Sequence, residues 1–311
     1  MASTGEAAFC QISIENDVRL DGRSCHDMRP VELELGVIAQ AAGSARLRMG
    51  ATDVIVGVKV EVGSPSSSAP NQGRLQVTVE FSPCASPIYK GRFGETYGEQ
   101  IAAVIESSLA PSGRAGGGGG GGVAYDGTLP TAASPHLRGA PPSSSSGTPG
   151  PGLDLSKLCI LPGKTAWVLF VDALVLNDDG NVLGAVSAAT LAALQHTRIP
   201  KVEAVRDAAG EEEIELDDSP GAAWRLDVSA LPLVVTTSRV GSQCVMDLTA
   251  QEERCSTSAL HVAVNRKGQL CGTTLSGRTG VETSMLLMMM ETAQKLGPIL
   301  WDQLMGFLQT R

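Results

Sequence analysis

Gly43-Ser44-Ala45-Arg46-Leu47-Arg48-Met49-Gly50-Ala51-Thr52-Asp53-Val54 begins the stretch that decides the fold, and the apolar residues to Val62 complete it. Apolar side chains recur at every second position on both sides of Gly50, which is the period of a half-buried strand. Gly50-Ala51-Thr52-Asp53 reads as the turn between the two strands. Arg46 and Arg48 alternate with the apolar residues and so share one face. They line a basic surface or form the exposed face of an edge hairpin, and the second reading is the simpler.

Working outward, Val31 to Leu35 and Leu75 to Phe81 add two more strands. Thr96 to Leu109 reads as an amphipathic helix with Ile101, Val104, Ile105 and Leu109 on one side. Trp167 to Leu176 is a long buried strand closed by the turn Asn177-Asp178-Asp179-Gly180, and Ala185 to His196 is an Ala/Leu helix. The second half repeats the theme. Arg225 to Val228, Leu233 to Thr237, Cys244 to Leu248, Leu260 to Val264 and Leu270 to Thr273 are candidate strands, with a hairpin turn at Asn265-Arg266-Lys267-Gly268. A helical region from Glu282 to Leu308 follows, with an interruption expected at Gly297-Pro298, where proline lacks a donor. Met285 to Met290 is apolar on every side of that helix and reads as buried or interfacial. Strands followed by helices, twice over, predict an α+β protein of two similar subdomains of mixed sheet with helices packed on one face.

Two breaks divide the chain. From Ser112 to Gly152 a glycine run (Gly116 to Gly122), a serine run (Ser143 to Ser146) and scattered prolines leave too little apolar surface to offset ordering, so 112–152 reads as a flexible insertion. Glu211, Glu212, Glu213, Glu215, Asp217 and Asp218, followed by Pro220 and Gly221, read as a solvated acidic linker over 201–222. The expected organisation is an N-terminal segment (1–30), a first subdomain (31–200), the linker, and a second subdomain (223–311).

The composition excludes several function classes. Of 311 residues 42% are apolar but only 4% aromatic, and the formal net charge is −9. Acidity argues against holding nucleic acid by bulk charge, and no exposed aromatic platform is evident. No apolar run reaches the roughly 18 residues of a membrane span, and Met1 to Ile14 does not read as a signal peptide. The seven cysteines and four histidines are scattered without Cys-x-x-Cys spacing, which reads as reduced, partly buried thiols and predicts no zinc site. Gly163-Lys164-Thr165 resembles the end of a phosphate loop, but Leu158 stands where the leading glycine is needed, and a strand follows where a helix is required.

Three clusters remain. Lys90 and Arg92 flank Gly91 just before a helix start, where they would receive a nucleic-acid phosphate or be solvated in a turn. Arg46 and Arg48 are the second basic pair. Asp247, Glu252 and Glu253 form an acidic cluster, for which caps and salt bridges are the reading, and no metal site is assigned.

Asp21-Gly22-Arg23 followed by Met28-Arg29-Pro30 resembles the opening of the RNase PH family. The hairpin quoted first is similar to that family's first hairpin. Val171 to Asn181 resembles the strand and turn leading to its central helix, and the likeness spans the chain apart from 112–152. Within the family, Asp179-Gly180-Asn181, Glu252-Glu253 with Cys255, and Val262-Ala263-Val264-Asn265 resemble eukaryotic exosome ring subunits of the Rrp-forty-two type.

The resemblance implies an RNase PH-like fold and a ring assembly. Implied partners are neighbouring RNase PH-like subunits, cap subunits with OB-like and KH folds, a hydrolytic ribonuclease and RNA, without a membrane. The implied setting is 3′ processing and degradation of ribosomal RNA precursors, small RNAs and messengers in nucleus, nucleolus and cytoplasm. Active family members phosphorolyse RNA with a Gly-Gly-Ser/Thr-Arg turn that holds phosphate and an Asp on a later strand. Here the matching residues are Gly180-Asn181-Val182-Leu183, and Ala259 stands at the Asp position. The expectation is therefore a non-catalytic, cofactor-free subunit that contacts RNA through Lys90, Arg92, Arg46 and Arg48. The alternative is a phosphate-dependent exoribonuclease with an atypical site.

Overall fold

The computed structural model describes residues 4–110, 152–206, 212–217 and 221–309. The insertion predicted over 112–152 lies outside the described residues apart from Gly152; Leu109 and Leu153 on either side of it are joined by a hydrogen bond of 2.8 Å.

The chain starts with helix α1 (Thr4–Glu15), which the sequence reading did not contain. The first sheet is built from β1 (Val31–Leu35), β2 (Gly43–Met49), β3 (Thr52–Gly63), β4 (Arg74–Phe81), β5 (Cys159–Leu161) and β6 (Thr165–Asn177), in the order β1-β2-β3-β6-β4, with β5 paired to β6. All its pairings are antiparallel except β4 with β6. Parallel pairing needs a crossover, and helix α2 (Arg92–Leu109), packed on β4, lies within it. The turn between β2 and β3 is only Gly50-Ala51; Thr52 and Asp53 already belong to β3. Val54, Val56 and Val58 are fully buried on one face, as the alternation requires. Each such side chain contributes roughly 1.5–3 kcal/mol of burial.

Helix α3 (Val182–His196) packs on β2 and β3 of this sheet and also on β11 (Leu233–Val240) of the second. Between them run the short strands β7 (Arg198–Ile199) and β10 (Trp224–Arg225), paired together, and the hairpin of β8 (Lys201–Arg206) and β9 (Glu212–Asp217). The acidic segment is thus not a linker loop in its central part: Lys201↔Asp217 through Arg206↔Glu212 are in strand register. Composition missed this because ladder pairing uses backbone groups, which charge does not report.

The second sheet has the order β12-β11-β13-β14 and is wholly antiparallel, with β12 (Gln243–Met246), β13 (Ser258–Val264) and β14 (Leu270–Gly277). A short helix α4 (Ala250–Glu253) precedes β13, and α5 (Thr283–Gln309) packs on β11 and β13. Together the sheets and their helices make the expected α+β fold of two domains, although only the first sheet is mixed, its one parallel pair being β4 with β6.

One reading of α5 is corrected, and for its methionine run the structure excludes the fully buried alternative while leaving the interfacial one. The helix is continuous through Pro298. Buried Met289 and Ala293 on one side of the proline and Trp301 and Leu304 on the other hold it down, and a β-carbon on Gly297 would come within 2.8 Å of Val264, so only glycine allows the close contact there. Tertiary packing on both sides outweighs one lost ladder bond. Met285 and Met289 face the core, whereas Leu287 and Met288 are exposed, so the methionine run is not buried all round. Helix α1 buries Cys10 and Ile14 against Val240, Val245 and Leu248. No helix among the described residues is long and apolar enough to cross a membrane.

Candidate functional site

The turn at Asp178–Asn181 is where the two domains are tied together. Asn181 caps α3 from a left-handed conformation (φ 52°), which asparagine tolerates. Its Nδ2 donates to Asp247 Oδ1 (2.9 Å), and its backbone N–H donates to Glu253 Oε1 (2.7 Å). Thr52 Oγ1 donates to the Gly180 carbonyl (2.8 Å) and accepts from the Asp179 N–H (3.1 Å), clamping the β2–β3 hairpin end to the same turn.

Asp247 is the node of this region. It is 1% exposed and accepts from Arg29 N, Nε and Nη2 (2.7, 3.0 and 2.8 Å), Arg23 Nη1 (3.0 Å) and Asn181. Burial alone would raise its pKa, but the Arg29 bonds and charge hold it below the ordinary carboxylate value. Glu252 is likewise buried, takes Arg19 Nε and Nη2 at 3.0 and 2.5 Å, and closes a capping box with Thr249. Arg23 and Arg29 come from the Asp-Gly-Arg and Met-Arg-Pro stretches, so those motifs serve as interdomain cross-links. The cap and salt-bridge reading of the acidic cluster describes Asp247 and Glu252 correctly.

Glu253 differs. Solvent reaches it along the mouth of a cleft, yet the surrounding protein, with Asp178 and Asp247 nearby, pushes its pKa up from 4.5 to about 7. A carboxyl raised on folding adds stability that is fully present below about pH 4.5 and is lost as pH rises through about 7. Glu253→Gln keeps an acceptor for Asn181 and removes the charge. It should raise the melting temperature more at pH 8 than at pH 5. A difference that does not change with pH would contradict this account.

The cleft has a volume of about 600 Å³. Val182 and Leu183, at the start of α3, and Ala259, on β13, all line it. The fold therefore brings together the three positions at which the sequence departs from the active family pattern. Both α3 residues are buried (4% and 5% exposed) and present hydrocarbon where a hydroxyl and a guanidinium are expected. His261 also lines the cleft, held between Thr236 Oγ1 (3.0 Å) and Ser276 Oγ (2.9 Å). Burial pushes its pKa down to about 4, so it is neutral at physiological pH. One cation, Arg278, stands among the lining residues.

The predicted RNA contacts fall into two groups. Arg46 and Arg48 do share a face of β2, but both are engaged by Asp53: Arg46 Nε and Nη2 at 3.0 and 2.6 Å, Arg48 Nε at 3.3 Å. One carboxylate thus holds two guanidiniums, so their charge is partly balanced there. Arg92 is the first residue of α2, which begins four residues earlier than the sequence suggested, and Lys90 precedes it. Both are exposed, and neither forms a salt bridge among the described residues.

Beside this pair the structure corrects the reading that no exposed aromatic platform exists. Phe81, Tyr89, Phe93 and Tyr97 gather into one cluster of nearly parallel rings, and Phe93 is 54% exposed. Tyr89 Oη donates to Asp178, anchoring the cluster to the α3 turn. Gly94 permits it: a β-carbon there would lie 2.4 Å from the Tyr89 carbonyl. The four-residue spacing of 89, 93 and 97 was the signal available in the sequence.

The description "3′ exoribonuclease family, domain 1" matches residues 27–200, and "3′ exoribonuclease family, domain 2" matches residues 230–295. A Dictyostelium discoideum protein with the provisional name exosome complex exonuclease RRP42 is 31% identical over 305 residues, covering 95% of this chain and 94% of its own. Exosome complex component Rrp42 of Methanopyrus kandleri is 31% identical over 253 residues, 81% of this chain and 78% of its own. Among solved structures, the Archaeoglobus fulgidus exosome with RNA bound to the active site superposes with a TM-score of 0.70 at 24% identity, over 96% of this chain and 97% of that one.

Proposed function

The chain belongs to the 3′ exoribonuclease family and carries both of its domains in order, and from that premise we propose that it is a non-catalytic, RNA-guiding subunit of an exosome ring. The observation that carries the reading is the convergence of Val182, Leu183 and Ala259 on one cleft. Phosphorolysis needs an anion hole and a carboxylate at the scissile phosphodiester, and hydrocarbon supplies neither. A second reading, an active phosphate-dependent exoribonuclease with an atypical site, draws its support from Arg278 and the hydroxyls of Ser256, Thr257 and Ser276 in the same cleft.

In the proposed role the partners are other RNase PH-like ring subunits, cap subunits with OB-like and KH folds, and a separate hydrolytic ribonuclease. The RNAs are precursors and turnover substrates, in nucleus, nucleolus and cytoplasm. The named exosome components among its relatives support the ring. Copurification of a tagged full chain tests it: recovery of a nine-subunit assembly is expected, and recovery of the chain alone overturns the ring role.

RNA contact is proposed at Lys90 and Arg92 first, with Arg46 and Arg48 second because both are already paired with Asp53. Phosphate contacts carry no base information, which suits a machine that accepts any sequence. Replacing Lys90 and Arg92 by Glu should weaken RNA binding equally for different sequences and flatten the salt dependence by roughly one unit of slope per lost contact. Unchanged affinity and slope would return both residues to a solvated turn.

A further inference from the structure

In a chain only 4% aromatic, four rings are concentrated at one place. Phe81 and Tyr89 lie 4.1 Å apart at 19°, Tyr89 and Phe93 6.1 Å apart at 21°, and Phe93 and Tyr97 6.1 Å apart at 16°. Packing accounts for three of them. Phe81, Tyr89 and Tyr97 are half-buried between β4 and α2, and Tyr89 is tethered through Asp178. Packing does not account for Phe93, whose ring stays half in water at the outer side of the cluster, aligned with its neighbours. An apolar ring held in a fixed plane with solvent on one side is prepared to receive another flat ring at little entropic cost.

Charge narrows the ligand. Lys90 and Arg92 are exposed and immediately precede Phe93 in the chain, and Gly91 between them leaves the backbone open. Asp178 and Glu253 lie toward Tyr97 and disfavour an anion there. A planar group carrying its negative charge on the Lys90 and Arg92 side matches the arrangement.

We propose that Phe93 is a stacking step for one unpaired base of single-stranded RNA whose phosphates are held by Lys90 and Arg92. The inference rests on the RNA-guiding reading and adds a base contact to it. Stacking on an aromatic ring tolerates any base, because every base has a π-face. The contact therefore distinguishes single strands from duplexes without reading sequence.

The test measures anisotropy of a labelled oligoadenylate, a hairpin duplex and an abasic oligomer of equal length with the full chain, in the ring that copurifies with it. Phe93→Ala should weaken oligoadenylate binding by about fivefold or more, leave the salt slope unchanged and leave abasic binding unchanged. Phe93→Trp should restore or exceed the original affinity. If Lys90→Glu with Arg92→Glu weakens binding while Phe93→Ala does not, stacking is overturned and the guiding role stands. If neither change matters, both fall. Should Phe93→Ala fail to fold, the unmodified chain still decides: equal affinity for the adenylate and abasic strands overturns the proposal.

Discussion

Asp247→Asn is expected to cost the fold about 3–5 kcal/mol. Asparagine preserves shape and tolerates the left-handed backbone at this position (φ 48°), so the substitution isolates charge. It leaves the guanidinium of Arg29, itself 6% exposed, with only the longer ion pair to Asp179 (3.4 Å), and turns one acceptor into a donor facing it. Breaking a buried pair is far costlier than breaking a surface one. Lys59→Ala removes a pair with Glu61 whose partners are 67% and 46% exposed and should change stability by no more than about 1 kcal/mol. Thermal or denaturant unfolding of the two variants at neutral pH compares them. Similar losses would show that Asp247 is not the cross-link between the domains. The pH sense is opposite to that of Glu253: because the Asp247 value is depressed on folding, its contribution is present above the ordinary carboxylate range and is lost in acid.

Incubated with RNA, inorganic phosphate and magnesium, the chain should release no nucleoside diphosphate. Charge-assisted donors contribute about 1.5–3 kcal/mol each, so replacing two of them by Val182 and Leu183 weakens a phosphate site by roughly two to four orders of magnitude. Ala259→Asp restores the carboxylate but not the anion hole, and groups of one catalytic unit act non-additively. That variant should therefore stay inactive as well. Diphosphate release by the unmodified chain would establish the atypical exoribonuclease instead. Release only by Ala259→Asp would show that the α3 N-terminus and Arg278 suffice for phosphate.

Local pattern determined much of this protein. The alternation in Ala45–Met49 and Val54–Val62 specified β2 and β3, because a strand with one buried face must alternate. Departures at Val182, Leu183 and Ala259 were legible through the resemblance to the RNase PH family, because a motif can be compared residue by residue without the fold. What the sequence could not supply was simultaneity. Asp247 and Arg29 are 218 positions apart, and only the docking of the two sheets around α3 makes them a buried pair. Pro298 reads as a break until packing on both its sides is known. Glu212–Asp217 reads as a solvated run until its backbone finds Lys201–Arg206. No aromatic platform is evident in the sequence until β4 and α2 bring Phe81, Tyr89, Phe93 and Tyr97 together with nearly parallel rings. Periodicity and residue chemistry are local properties and survive in one dimension. Ion pairing, strand pairing and ring stacking depend on distances between remote residues, and those exist only once the chain has folded.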